Sequence, residues 1–216
     1  MSVEDADKLA ENLGIKHSII PIGEIYDSFQ SSLECEFKGL EPDITEENLQ
    51  SRCRGVILMA LSNKSGEIVL TTGNKSETAV GYSTLYGDTA GGFGVLKDVP
   101  KTLVYELARY RNTISKVIPE RIIERPPSAE LAPDQQDSDS LPDYDTLDKI
   151  IELYVEQDKS KKEIEESGIE SNILNRVIGL IDLSEYKRRQ APLGVKITSR
   201  GFGKDRRYPI TNKFLK

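Results

Sequence analysis

The chain has 216 residues, 37% hydrophobic and 30% charged, enough for an ordinary core and without the roughly 20-residue apolar run that a bilayer-spanning helix requires. Its two cysteines, Cys35 and Cys53, exclude the disulfide framework of a small secreted fold, and its single histidine, His17, excludes His-rich zinc sites and Ser-His-Asp chemistry. The net charge of −7 is unevenly spread: residues 186–216 hold ten Lys or Arg against Asp205 alone, a local +9, which leaves −16 on residues 1–185.

Met1-Ser2-Val3-Glu4-Asp5 lacks the basic and apolar regions of a secretory signal, so a cytoplasmic location with reduced cysteines in helical surroundings is expected. Val3, Ala6, Leu9, Ala10 and Leu13 recur at helical spacing and stop at Gly14, the profile of a helix with a glycine C-cap. Ile19 to Ile22 reads as a buried strand, with His17 ahead of it as a structural histidine. Thr45 is placed to cap a helix with Glu46 and Glu47 in its first turn and an apolar stripe through Leu49, Cys53, Val56, Ile57 and Ala60, ending near Gly66. Glu67 to Thr72 reads as a second strand, buried on both faces, and Gly73 opens a strand-to-helix turn. Pro100 suits the first position of a helix whose start is turned back toward that turn, with Leu103, Val104, Leu107 and Ala108 on one face.

Residues 125–142 are rich in Pro, Asp and Ser and taken alone read as a linker or mobile loop. Beyond them, Leu147, Ile150, Ile151, Tyr154 and Val155 mark one amphipathic helix, and Ile173, Leu174, Val177, Ile178 and Ile181 another, capped by Ser171 or Asn172. Packing onto a larger body is expected of this pair in preference to a helix-turn-helix. Two strands are too few for a parallel sheet with helices on both faces. The expected fold is therefore α/β, a partial doubly wound parallel sheet with a helical C-terminal part, whose remaining strands come from a partner chain or from an earlier part of a longer domain.

Thr71-Thr72-Gly73-Asn74-Lys75-Ser76-Glu77 gathers hydroxyls, an amide, a cation and a carboxylate at a strand end, where sites in open α/β folds lie. Tyr82 to Phe93 mixes aromatics with Gly87, Gly91 and Gly92, which suits a loop moulded around a flat ligand. A polar loop with a helix cap and a glycine-bearing connection explain the same residues. No G-x-x-x-x-G-K-[ST] or G-x-G-x-x-G occurs.

Several blocks in order resemble the synthetase domain of glutamine-dependent NAD synthetase: Glu47 to Arg52, Leu70 to Glu77, Gly81 to Phe93, Leu96 to Tyr105, Pro127 to Leu131, Asp137 to Pro142, Tyr186 to Ala191 and Phe202 to Asn212. The resemblance implies a ligase of the ATP pyrophosphatase type that amidates deamido-NAD to NAD through an acyl-adenylate, with ATP, Mg²⁺ and ammonia. It implies ATP contacts at Thr72, Lys101 and Ser128, deamido-NAD contacts at Asn48, Glu77, Tyr82, Ser83, Thr84, Leu85 and Lys187, and a magnesium ligand at Glu77. No residue is assigned as a catalytic group, a homo-oligomer is implied, and neither a membrane nor a nucleic-acid partner is expected. The family's S-G-G-x-D-S phosphate loop does not occur here, nor does an amidase domain. The expectation is therefore a C-terminal portion of the synthetase domain over residues 1–216, with half of the active site and no independent turnover. The rival expectations are another ammonia-using ATP pyrophosphatase, and a non-catalytic assembly or nucleic-acid-binding module acting through the basic tail.

Overall fold

The computed structural model describes residues 2–211; Met1 and Asn212, the last residue of the tail motif, lie outside the described residues. Helix α1 (Ser2–Leu13) ends as its sequence demands, at Gly14 with φ +64°. The strand expected at Ile19–Ile22 is absent. Residues 15–22 are irregular backbone, with Ile19 60% and Ile20 47% exposed. A strand exists only by pairing, and no described strand runs alongside this apolar run. His17 instead meets Asp7, Nδ1 to Oδ1 at 2.6 Å.

Helix α2 (Gly23–Leu33) is followed by a turn holding Cys35, which is exposed and not helical, whereas Cys53 is buried in α3 (Ile44–Ser65); both thiols are free. The cap of α3 is Asp43 and not Thr45. Its carboxylate accepts from Thr45 N at 2.7 Å, while Glu46 Oε2 accepts from Asp43 N at 2.8 Å, a reciprocal capping box. Gly66, φ +76°, closes the helix. Ser51 and Gly55, one turn apart, make a small buried face of α3; Cys53 of the expected stripe is buried on the other side, and Val56 of that stripe is exposed. A Cβ on Gly55 would stand 2.6 Å from the carbonyl oxygen of Tyr86, so backbone-to-backbone approach decides which side faces inward.

Strands β1 (Leu70–Thr71), β2 (Phe93–Gly94) and β3 (Leu193–Gly194) form a parallel sheet in the order β1-β2-β3, with Leu70 opposite Phe93 and Phe93 opposite Leu193. The strand expected over Glu67–Thr72 is thus only two residues long. It is also not buried on both faces: β1 is an edge, and Ile68 and Leu70 are exposed. The chain leaves β1 into helix α4 (Lys75–Val80), and Pro100 caps helix α5 (Lys101–Ile114) from just outside it. After the short α6 (Glu120–Glu124), residues 125–142 are tied down rather than free. Gln50 Nε2 donates to Leu131 O at 3.0 Å and Gln135 Nε2 to Glu47 Oε2 at 3.0 Å.

Helix α7 (Tyr144–Ile151) runs on into a π-helical turn at Glu152–Glu156, followed by α8 (Lys161–Glu165), α9 (Ser171–Leu183) and α10 (Glu185–Arg188). Glu170 stands at the N-cap of α9 in place of Ser171 or Asn172. Leu147 and Ile150 of α7 and Leu174, Val177, Ile178 and Ile181 of α9 close over Ala79 and Val80 of α4, so both helices pack on the body of the fold. The tail then straps the molecule. Fully buried Lys75 donates from Nζ to Glu156 Oε1 (2.7 Å), Thr198 Oγ1 (2.5 Å) and Arg200 O (3.0 Å), with Asp98 Oδ1 at 3.2 Å. The basic tail residues find acids too: Arg189 pairs with Glu185, Lys196 with Asp205, and Arg206 and Arg200 with Asp158.

Candidate functional site

Glu77 is the third residue of α4 and closes a capping box with Asn74: Asn74 Oδ1 accepts from Glu77 N at 3.0 Å, and Glu77 Oε2 accepts from Asn74 N at 3.3 Å. The cap turns the carboxylate toward the start of α5, where Lys101 Nζ donates to Glu77 Oε1 at 3.0 Å. Two further bonds fix that helix start. Ser76 Oγ accepts from Lys101 N at 2.8 Å, and Asp148 Oδ2 accepts from Thr102 N at 2.9 Å. Sequence places the anion, and the network places the cation against it.

Two cavities meet at a shared wall of Glu77, Tyr82 and Asp88. The larger, about 590 Å³, contains Lys101 and Ser128 and falls within the range of small-molecule sites. The smaller, about 110 Å³, contains Thr72, Ser83 and Lys187. Thr72 therefore stands across the Glu77 wall from Lys101 and Ser128. Asn48 and Thr84 line neither cavity; Thr84 Oγ1 donates to Asn48 Oδ1 at 2.8 Å beneath the 82–89 turn. Leu85 faces a third cavity, of about 550 Å³, against α3.

Burial works to lower the pKa of Lys101, but the facing Glu77 carboxylate outweighs it and the net direction is up, so the ammonium is a fixed charge at neutral pH. The Tyr144 ring lies beneath it at 5.3 Å from its centroid. The phenols of Tyr82 and Tyr144 are pushed well above their usual range, first by burial and then by Asp137 and Glu77, and remain protonated hydrogen-bond donors. Ser128 is partly committed: its hydroxyl donates to Gln135 O and accepts from Glu130 N at 3.0 Å. Lys187 Nζ donates to Gly81 O and Ser83 O, both at 2.7 Å.

Asp88 of the shared wall, Asp137 and Lys97 are cavity groups that sequence did not single out. Asp137 is buried, with Oδ2 accepting from Tyr144 O–H at 2.6 Å; its D-S-D-S setting reads as a loop, and only the fold brings it to the cavity. Lys97, in the L-K-D-V-P run before α5, lines the smaller cavity.

The NAD synthase family model matches residues 1–191 of the chain. Over 214 residues the chain is 56% identical to the glutamine-dependent NAD(+) synthetase of Acinetobacter baylyi, covering 98% of this chain and 40% of that protein. The solved glutamine-dependent NAD+ synthetase of Acinetobacter baumannii, in complex with adenosine diphosphate, is 50% identical with a TM-score of 0.58, over 97% of this chain and 38% of that one. The NMN synthetase of Francisella tularensis is 28% identical with a TM-score of 0.72, over 86% of this chain and 69% of that one. The chain spans about two fifths of the length of the curated relatives it matches. A short parallel sheet followed by a capped Glu77 helix, a lysine-bearing helix start beside it and the matched family model over most of the sequence lead to one assignment: the chain belongs to the NAD synthase family.

Proposed function

We propose that this chain carries part of the site in which deamido-NAD is amidated to NAD at the expense of ATP. One observation carries the reading: Glu77, ion-paired to Lys101 at 3.0 Å, stands in the wall between a cavity of about 590 Å³ and a smaller one of about 110 Å³. In the first step the nicotinate carboxylate oxygen bonds to the α-phosphorus of ATP and pyrophosphate leaves. In the second, ammonia bonds to the acyl carbon, AMP leaves and the nitrogen sheds a proton. Neither step needs a histidine; both need charge neutralised and water kept away. Lys101 supplies a permanent positive charge for phosphate, and Tyr82, whose phenol stays protonated, lines both cavities beside it.

Among the described residues no cluster of three or more His, Cys, Asp or Glu is arranged to hold a metal. Magnesium keeps several waters and takes one or two carboxylates together with substrate phosphates, so the shared wall, which carries Glu77 and Asp88, fits it, and Glu77, beside Lys101, is the group that would hold it. Bound there, magnesium neutralises charge on the phosphates. The phosphate-cradling backbone that S-G-G-x-D-S provides must be added from outside this sequence, and so must the ammonia. Over nucleic-acid binding, this reading is favoured by the tail, whose Arg188, Arg189, Lys196, Arg200 and Arg206 are ion-paired within the fold.

The test is calorimetric titration of the chain with ATP–Mg²⁺ and with deamido-NAD, beside mass-spectrometric detection of NAD once a phosphate-loop polypeptide is supplied. Saturable binding of either nucleotide, and NAD formation only in the reconstituted mixture, are expected. Absence of both binding events, or salt-sensitive RNA binding in their place, overturns the reading.

A further inference from the structure

Lys97 is a half-buried ammonium with an unusual set of neighbours. Its Nζ donates to Pro192 O, and among the described residues it has no carboxylate partner within ion-pair distance. Its stem is given a track across the sheet end. A Cβ on Gly194 would stand 2.5 Å from Gly94 O, 2.7 Å from Lys97 Cβ and 3.1 Å from its Cδ, and one on Gly94 would stand 3.1 Å from Thr71 Oγ1 and 3.3 Å from Lys97 Cβ, so the glycine pair facing each other in β2 and β3 serves the close approach of the strands and also leaves room for this side chain. The track leads into the smaller cavity, where Lys187 is the other lysine and is likewise held only by carbonyls.

Charge in that cavity does not cancel. Arg188 is matched by Glu185 and Glu77 by Lys101, which leaves Lys97 and Lys187 against Asp88. Desolvating an ammonium without an anion destabilises the folded state unless a ligand supplies the charge. Burial accordingly draws the pKa of both lysines below the ordinary value, for Lys187 with some opposition from Asp88. The hydroxyl-bearing Thr72 and Ser83 line the same space and add neutral donors.

We propose that Lys97, its stem lying over Gly94 and Gly194, binds with Lys187 a phosphate oxyanion of a nucleotide substrate in the smaller cavity. This rests on the nucleotide reading above and adds a binding residue to it. The oxyanion belongs either to deamido-NAD or to ATP, and the chemistry recognised is the same.

The experiment compares the wild-type chain with Lys97→Met and Lys97→Arg by calorimetric titration with inorganic pyrophosphate, deamido-NAD and ATP–Mg²⁺, beside the melting temperature of each protein without ligand. Losing charge-assisted hydrogen bonds should weaken pyrophosphate binding about ten- to a hundredfold in Lys97→Met, while Lys97→Arg keeps most of it. The nucleotide whose affinity falls in parallel is the source of the oxyanion. The melting temperature of Lys97→Met should hold or rise, because an unpaired, desolvated cation has gone; a lysine acting only as a staple on Pro192 gives a lower melting temperature with unchanged affinities, and that pattern overturns the proposal. Lys97-dependent pyrophosphate binding without nucleotide binding keeps this inference and removes the functional reading. Equal nucleotide binding by wild type and Lys97→Met does the reverse, and no binding by the wild type removes both.

Discussion

Lys101 Nζ lies 3.0 Å from Glu77 Oε1, while the other oxygen of the same carboxylate caps α4 through Asn74 N. One side chain therefore ends a helix, orders a cation and faces two cavities. Glu77→Gln keeps an oxygen for the cap and removes the charge. Because the pair is partly solvated, at 18% and 19% side-chain exposure, its loss should cost no more than about 1 kcal/mol in urea unfolding. ATP–Mg²⁺ affinity should fall at least tenfold by calorimetry; an unchanged affinity would remove Glu77 from the site.

Lys75 presents the opposite balance. Its ammonium is fully buried between Asp98 and Glu156, so Lys75→Met strands two carboxylates. A loss of about 3–5 kcal/mol is expected from removing one partner of a buried ionic cluster, read from the denaturant midpoint at constant m-value. Adding Glu156→Gln to Lys75→Met should cost less than the sum of the two single changes, since the second change relieves a charge the first left exposed to burial.

Asp98 gives the strap a pH limit. Burial works to raise its pKa, but the amides of Thr198 and Ile197, the Thr198 hydroxyl and Lys75 outweigh it, and the folded value lies below the ordinary 3.8. A depressed carboxylate contributes stability that is present above the unfolded pKa and is lost as pH falls through the folded one. Melting temperature measured from pH 6 downward should hold until about pH 4 and then fall, and Asp98→Asn should start lower and show a shallower acid limb. Parallel acid limbs in the two proteins would exclude Asp98 as the titrating group.

Two helical glycines should respond to alanine with opposite signs. Gly179, within α9, has nothing within 4 Å of an added Cβ, so Gly179→Ala should gain about 0.5–1 kcal/mol from backbone entropy alone. Gly55→Ala places its methyl 2.6 Å and 3.0 Å from the carbonyl oxygens of Tyr86 and Gly87, which are backbone atoms that cannot swing aside. Overpacking there should outweigh the helix gain and cost about 1–3 kcal/mol in thermal unfolding.

The sequence was most legible where structure is local. The α1 stop at Gly14, the Glu77 helix after Gly73 and the apolar faces of α7 and α9 each depend on residues within four positions of one another. It misled where pairing or approach is remote. Ile19 to Ile22 has a strand's composition without a described neighbour to pair with, and the small face of α3 is chosen by a turn more than thirty residues away. Lys75 looks like a loop cation in T-T-G-N-K-S-E, yet it is buried by partners 81 and 123 positions along the chain. Likewise, no spacing rule separates Lys97, on its glycine track, from the solvated lysines of the same sequence.

The contact between Lys75 and Thr198 also sets a schedule for the nascent chain. At ~5–20 residues per second, the 123 positions between them take on the order of ten seconds to synthesise, and through that interval the ammonium has no strap to enter. β3 is made only shortly before Thr198, so the sheet edge at β2 and the lysine wait together. Contacts closing over so long a loop come late and slowly. The helices from α4 to α9 precede Lys187 and the docked tail in the chain, so the cavities gain that part of their lining only after those helices have been made.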